Sequence, residues 1–374
     1  MRDIDALLAR EFRLADDVIY LNNAAVAPWP QRAINAIAAF SEENLRHGAR
    51  DYGDWARREM QLRARLARLL NAHSDDIALV KNTSEGLSFV AQGFPWQAGD
   101  NVVIPAQEFP SNRVVWQALA PTVQVREVAL DVSDPEAALQ AACDTNTRVL
   151  AVSCVHYGTG LRLDLARLGA FCRGRDIALC VDAIQGLGVI PHDVAAMHID
   201  FLAADGHKWL CAPEGLGVFF CASRWRERLS LHEFGWHMLD KVDFTAPTWR
   251  PAATARRFEC GSPNMLGAYA LDASLSLVEE LGLAAIEAEV CARSEQLCTR
   301  IAAESKLQLL TRFAPGRYAG IVLFKRVDEA PEKTAERLRA QGVVCIPRLG
   351  GVRFSPHHFV TPAQLDRALA IALE

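Results

Sequence analysis

Two charged residues stand directly after apolar runs: Asp182 closes Ile177 to Val181, and Lys208 follows Ile199 to Ala203 within Asp205-Gly206-His207-Lys208-Trp209. Short, unalternating apolar runs read as strands of a parallel sheet covered on both faces. Open α/β sheets bind ligands beyond the carboxyl ends of their strands, so the pattern predicts a carboxylate and an amine at one sheet edge. That pair suits pyridoxal phosphate, which needs a lysine for its Schiff base, a carboxylate to hold its pyridine nitrogen protonated, and a cup for its phosphate. Asp182 supplies the counter-charge. Lys208, desolvated beside a cation, gains a lowered pKa and serves as nucleophile and then as proton carrier. Upstream, Asn82-Thr83-Ser84-Glu85-Gly86 opens a helix after a strand ending at Val80, offering two hydroxyls and free N–H groups to a phosphate. The same stretch also reads as an ordinary helix cap.

Other motifs fail on their spacing. No GxxxxGK[ST] occurs, and the GxGxxG candidates at Gly186 and Gly215 break at Pro191 and Phe220, so a dinucleotide site is not supported. His232-Glu233 is followed by His237, one residue beyond the HExxH spacing. On a helix those imidazoles would stand about 140° apart, which leaves both with a structural or lid role and no metal expected.

The elements that must position Asp182 and Lys208 follow from the pattern of runs. Strands are predicted at Ile77 to Val80, Asn101 to Ile104, Val123 to Val128, Arg148 to Ser153, Ile177 to Val181, Ile199 to Ala203 and Leu216 to Phe220, separated mostly by helical stretches. That alternation predicts a large α/β domain with a mainly parallel sheet over residues 16–255. A smaller α+β domain is predicted over 256–374, together with the N-terminal segment 1–15. It holds a long helix from Leu266 to about Ser305, strands at Leu307 to Leu310, Gly320 to Lys325, Val343 to Ile346 and Gly351 to Phe354, and helices near Ala330 to Ala340 and Pro362 to Leu373. Leu231 to Pro251 carries Phe234, Trp236, Phe244 and Trp249 without periodicity. It is expected to be a lid or binding element on the substrate side, or plain packing between domains.

The chain resembles the class V aminotransferase family of fold-type I pyridoxal-phosphate enzymes. The resemblance rests on Leu21-Asn22-Asn23-Ala24-Ala25, Thr83-Ser84-Glu85, Glu108-Phe109-Pro110-Ser111-Asn112, Val181-Asp182-Ala183-Ile184-Gln185, Asp205-Gly206-His207-Lys208, Arg257 to Asn264, and Val352-Arg353-Phe354-Ser355-Pro356. The forms around Phe109 and Ser355-Pro356-His357 are most similar to isopenicillin N epimerase-like proteins, with cysteine desulfurases and selenocysteine lyases further off. The resemblance implies that Lys208 forms the Schiff base, Asp182 pairs with the pyridine nitrogen, and Gln185 donates near the ring's phenolic oxygen. It puts Asp205 beside the cofactor and gives Thr83, Ser84 and His207 to the phosphate. Phe109 falls where many relatives stack a histidine on the ring; a phenyl group stacks but relays no proton, which shifts acid/base work onto Lys208. His156 is either a cofactor contact or a structural histidine. Arg353 matches the arginine that binds the substrate α-carboxylate, and Asn23 could touch the same group. The family pattern also implies a homodimer with sites completed across the interface, Ser262 reaching the partner's phosphate.

Desulfurases of that family carry a nucleophilic cysteine on a loop shortly before the carboxylate arginine. Here only Pro347, Arg348, Leu349 and Gly350 intervene, and Cys345 sits in an apolar strand, which disfavours persulfide-forming desulfuration. The substrate is expected to be a small amino acid, with a lyase, epimerase or transaminase outcome left open. The alternatives are a non-catalytic regulator on the same fold, which would need a damaged site, and an NAD-dependent oxidoreductase, which would need the missing glycine fingerprint. With 374 residues, 51% hydrophobic and 23% charged, and a net charge of −5, the composition is that of a folded soluble protein. It excludes a disordered chain and argues against nucleic-acid binding. Ten scattered cysteines without a CxxC pair fit buried thiols in a reducing compartment. Arg2, Asp3 and Asp5 precede any apolar stretch, so neither a secretory leader nor a membrane span is expected, and the cytoplasm is the expected location.

Overall fold

The computed structural model describes residues 4–243 and 245–374, which leaves Phe244 outside. A short strand, β1 (Ile19–Tyr20), precedes a seven-stranded sheet built from β2 (Ile77–Val80), β3 (Asn101–Pro105), β4 (Gln124–Val128), β5 (Thr147–Ser153), β6 (Ala178–Asp182), β7 (Phe201–Asp205) and β8 (Gly217–Cys221). The order is β2-β8-β7-β6-β5-β3-β4. The sheet is α/β and mostly parallel, as its runs predict. The exception is β8, which lies antiparallel to both β2 and β7. Its connection from Asp205 spans only residues 206–216, too little for a crossover helix, so the chain returns as a hairpin-like strand.

The period of two along each strand sorts the core into two layers. Ala78, Val102, Val149, Cys180, Phe201 and Phe219 face one side. Leu79, Val103, Leu150, Val181, Leu202 and Val218 face the other, and helices cover both. A buried side chain of this size contributes about 1.5–3 kcal/mol, so the sheet is a rigid floor for whatever stands at its edge.

The C-terminal unit is an antiparallel sheet of order β12-β13-β10-β9, from β9 (Leu307–Leu309), β10 (Val322–Arg326), β12 (Ile346–Arg348) and β13 (Gly351–Phe354). The single strand expected at Val343 to Ile346 divides at Cys345. Its first half, β11 (Val343–Val344), pairs in parallel with β1, and its second half begins β12. The long helix expected from Leu266 breaks at Gly282, whose φ of +82° suits glycine, into Met265–Leu281 and Leu283–Ala303.

Core packing joins stretches from both sides of residue 255. Ala268, Leu271 and Leu275 belong to the large core, while Ile19 and Leu21 are buried with Leu297, Phe324 and Phe354 in the C-terminal one. Among the described residues, no helix is long and apolar enough to cross a membrane.

Candidate active site

The carboxyl ends of β6 and β7 lie side by side, with Asp182 opposite Ala203 in the register, so Asp205 and the turn carrying His207 and Lys208 project beyond Asp182. A cavity of about 310 Å³ opens above this edge. Its wall includes Lys208, His207, Asp205, Gln185, Thr83, Ser84, Phe109 and Arg353, so eight side chains named from the sequence meet in one place.

The cup expected for a phosphate falls at the start of the helix Thr83–Gly93. Asn82 caps it, its Oδ1 accepting from the Glu85 N–H at 3.0 Å. Ser84 Oγ donates to Ser111 Oγ at 2.8 Å, while the buried Thr83 Oγ1 has no partner among the described residues. A buried hydroxyl without a partner at a helix N-terminus is the donor an oxyanion would satisfy. Gly86 lets this helix approach β7: a Cβ there would meet Ala203 Cβ at 2.9 Å.

Asp182 is 1% exposed and accepts from the Ile184 N–H at 3.0 Å. Burial pushes its carboxyl up to about 6, opposed by that hydrogen bond and by Lys208. A cationic ring nitrogen beside it would favour the ionised form. Lys208 is likewise buried, and desolvation brings its amine down to about 8; Asp182 and Asp205 pull the other way, while Arg353 and Arg348 reinforce the drop. Its Nζ lies 5.5 Å from the Phe109 ring centre. His207 Nδ1 stands 3.0 Å from Asp205 Oδ1, and the His207 carbonyl accepts from the Ala27 N–H at 2.9 Å, tying the N-terminal loop to the lysine turn.

Gln185 lines the cavity but is also a strut: its Nε2 donates to the Ala24 carbonyl at 3.0 Å and its Oε1 accepts from Trp209 Nε1 at 2.9 Å. Arg353 is 2% exposed, with Nη1 donating to the Tyr157 carbonyl at 2.7 Å and Nη2 to Asn22 Oδ1 at 3.4 Å. Burial lowers its pKa to about 10, helped by Arg348.

Asn23, His156 and Ser262 are not among the lining of this cavity in the single chain. Asn23 is fully buried and turned away: its Nδ2 donates to the Ser355 carbonyl at 2.8 Å, and the neighbour Asn22 reaches Arg353 instead. Alternation along an extended loop turns adjacent residues to opposite faces, so Asn22 and Asn23 find different partners. His156 is held by its loop. Its Nε2 donates to the Gln107 carbonyl at 2.8 Å and its Nδ1 accepts from the Thr159 N–H at 3.1 Å, at the wall of a separate cavity. Ser262, expected to reach a partner's phosphate, is exposed on the surface beside Gly215 and Cys260.

The described residues of Leu231 to Pro251 do not line this cavity in the single chain; the segment packs beside Cys260, where a Cβ on Gly235 would run into the Cys260 carbonyl. His237 sits within it between Glu59 and Glu259, at 3.5 and 3.4 Å, and these carboxylates raise its pKa to about 9. Arg63 donates to both acids, so the cluster is a charge-balanced strut.

Sequence reasoning missed Tyr157 and Arg348, which line the cavity, and the buried Glu108. Tyr157 lies in the loop past the carboxyl end of β5, beyond Ser153, the residue in register with Asp182, so no apolar run marks it in the sequence. Glu108 accepts from the Ser153 N–H at 2.6 Å. Burial raises it to about 8, with repulsion from Asp182 adding to the shift, so it enters the neutral range protonated.

A parallel sheet edge carrying a buried aspartate, a lowered lysine and an oxyanion cup defines the fold and site of a pyridoxal-phosphate-dependent enzyme, and the residues present fit that cofactor. Residues 19–358 match the family Aminotransferase class-V, and the chain belongs to it. A probable cysteine desulfurase of Methanothermobacter thermautotrophicus is 28% identical over 368 residues, covering 96% of this chain and 89% of the relative. A cysteine desulfurase of Klebsiella pneumoniae is 32% identical over 323 residues, covering 82% and 77%. Both bear the name of a group that the motifs place further away than the epimerase-like proteins. Among solved structures, a mutant of C-DES with glycine covalently linked to its PLP cofactor superposes with a TM-score of 0.89 at 23% identity, covering 96% of this chain and 97% of that one. The Escherichia coli cysteine desulfurase CsdA superposes at 0.87, also at 23% identity, covering 100% and 99%.

Proposed function

We propose that the protein acts on a small amino acid by labilising a bond at Cα and expelling a group from Cβ, a lyase outcome. One arrangement carries this reading: Lys208, with its amine lowered to about 8, stands over buried Asp182 and shares a cavity with the carboxylate-binding candidate Arg353. Bound pyridoxal phosphate supplies an electron sink for a carbanion at the substrate's Cα. Asp182 holds the positive charge on the pyridine nitrogen, Thr83, Ser84 and the helix N-terminus hold the phosphate, and Phe109 covers the ring. Arg353 fixes the α-carboxylate, and Lys208 carries the proton at Cα.

Epimerisation needs a second proton carrier on the opposite face, and Phe109 cannot be one. Persulfide transfer to a protein thiol needs a cysteine, and no described residue of the lining is one; Cys345 is buried, its thiol pushed up to about 12. A regulator without activity would need a damaged site, whereas Lys208, Asp182 and Arg353 are all in place.

We further place two copies in a homodimer. Phe234 and Trp249, 60% and 58% exposed, stand on the segment that packs beside Cys260 and Ser262, the surface a partner would cover.

The test is product analysis with a panel of amino acids bearing β-leaving groups. Release of the leaving group with formation of a keto acid and ammonia is expected. Inversion at Cα alone, or transfer of the amino group to a keto acid, would replace the lyase reading with one of the other two outcomes.

A further inference from the structure

The tip of the C-terminal sheet brings two arginines onto one side of the cavity. Strands β12 and β13 are joined by Leu349 and Gly350, whose φ values of +47° and +74° both lie in the left-handed region, the signature of a two-residue hairpin turn. Such a turn fixes the register, which pairs Ile346 with Arg353 and Arg348 with Gly351. Paired residues share a face, so Arg348 and Arg353 are diagonal neighbours on the same face, roughly 7–8 Å apart at the backbone. Both residues line the cavity. The tip is also seated: a Cβ on Gly158 would lie 2.3 Å from Leu349 Cδ1, so the turn rests on the loop whose Tyr157 carbonyl holds Arg353.

Neither arginine is neutralised by a neighbouring acid. Among the described residues, the two hydrogen-bond partners of Arg353 are uncharged and its Nε has none. Arg348 makes no hydrogen bond or ion pair among the described residues; its recorded contact is the face of the Tyr157 ring, 5.9 Å away. The phosphate cup is built on other elements, the helix Thr83–Gly93 and the His207 turn. Two like charges left unpaired in one cavity call for an anionic ligand with two groups to offer.

We propose that Arg348 is a specificity-determining residue that binds a second carboxylate on the substrate's side chain, so that the preferred substrate is a dicarboxylic amino acid. The proposal rests on the reading that Arg353 takes the α-carboxylate.

Unreactive acids test it directly on the cofactor-loaded enzyme. Glutarate and succinate are compared with butyrate and propionate by calorimetry, in the wild type, R348Q, R348K and R353Q. The wild type should prefer the dicarboxylates by about 10- to 100-fold, the worth of one charge-assisted pair. R348Q should remove that preference, moving monocarboxylate affinity by less than about threefold, and R348K should restore part of it. An equal loss for both classes in R348Q would mean that Arg348 shares the α-carboxylate, and no change in either would make it a solvated bystander; both overturn the proposal. R353Q separates the two readings. If it weakens both classes while R348Q weakens neither, only the second-carboxylate inference fails; if it leaves both untouched, the assignment of Arg353 fails first.

Discussion

Burial holds the Asp182 carboxyl at about 6, against an ordinary value of 3.8. A carboxyl raised on folding binds its proton more tightly in the native chain, so stability falls as pH rises from about 4 through about 6, by about 3 kcal/mol in all. Asp182→Asn keeps the side chain's shape and an oxygen for the Ile184 N–H. The cofactor-free variant should therefore be more stable than the wild type at pH 7.5 by an amount of that order, the gap closing near pH 4. Denaturant titrations of the two apoproteins at both pH values measure it, and equal stability at pH 7.5 would show that the carboxyl is not held in a dry site. Lys208, Asp182 and Thr83 were legible in the sequence because each is a polar residue after an apolar run or at a helix start, whereas Arg353, inside the strand Gly351–Phe354, was legible only through the family resemblance. Asn22 and Arg348 were not, because their roles depend on which face of an extended segment turns inward. That face is fixed by pairing with Ser355 and by the β12–β13 register, contacts made across more than 300 residues or across a turn.

At the level of elements, the close approach of the helix Thr83–Gly93 to β7 aims its N-terminus at the cavity. Gly86→Val would drive a side chain into Ala203 and Phe219, which a Cβ alone would meet at 2.9 and 3.3 Å. The helix must then lift, at about 1–3 kcal/mol of stability. The variant should bind pyridoxal phosphate more weakly while Lys208 still captures pyridoxal, which has no phosphate, as the wild type does. Measuring both affinities separates a displaced cup from general damage; parallel losses would count against the cup. The strands around the site were legible because burial on both faces leaves uninterrupted apolar runs. The reversed direction of β8 was not, since periodicity carries no sense of direction, although the short span from Asp205 to Gly217 held the clue. The break at Gly282 was equally available as a glycine within a helical pattern.

For the whole molecule, two cores meet along the cavity, and Arg353 from the C-terminal unit reaches the Tyr157 carbonyl of the large one. The site therefore depends on the docking of the two units. A homodimer is the assembly expected to cover Phe234 and Trp249, and light scattering should return twice the 41.1 kDa chain mass. A monomer that retains the cofactor through gel filtration would contradict that assembly. For the segment from Leu231 to Pro251 the sequence left a substrate-side role and plain packing both open, because aromatic content alone does not say which surface a loop covers. Its anchor is the strut of His237, Glu59, Glu259 and Arg63, assembled from three distant stretches of chain. The most direct test of the central claim is to reduce the purified, pyridoxal-phosphate-loaded protein with borohydride and map the labelled peptide. Loss of visible absorbance with a single phosphopyridoxyl group on Lys208, absent from Lys208→Ala, is the result expected. A colourless protein that takes up no label, or label spread over surface lysines, would contradict it.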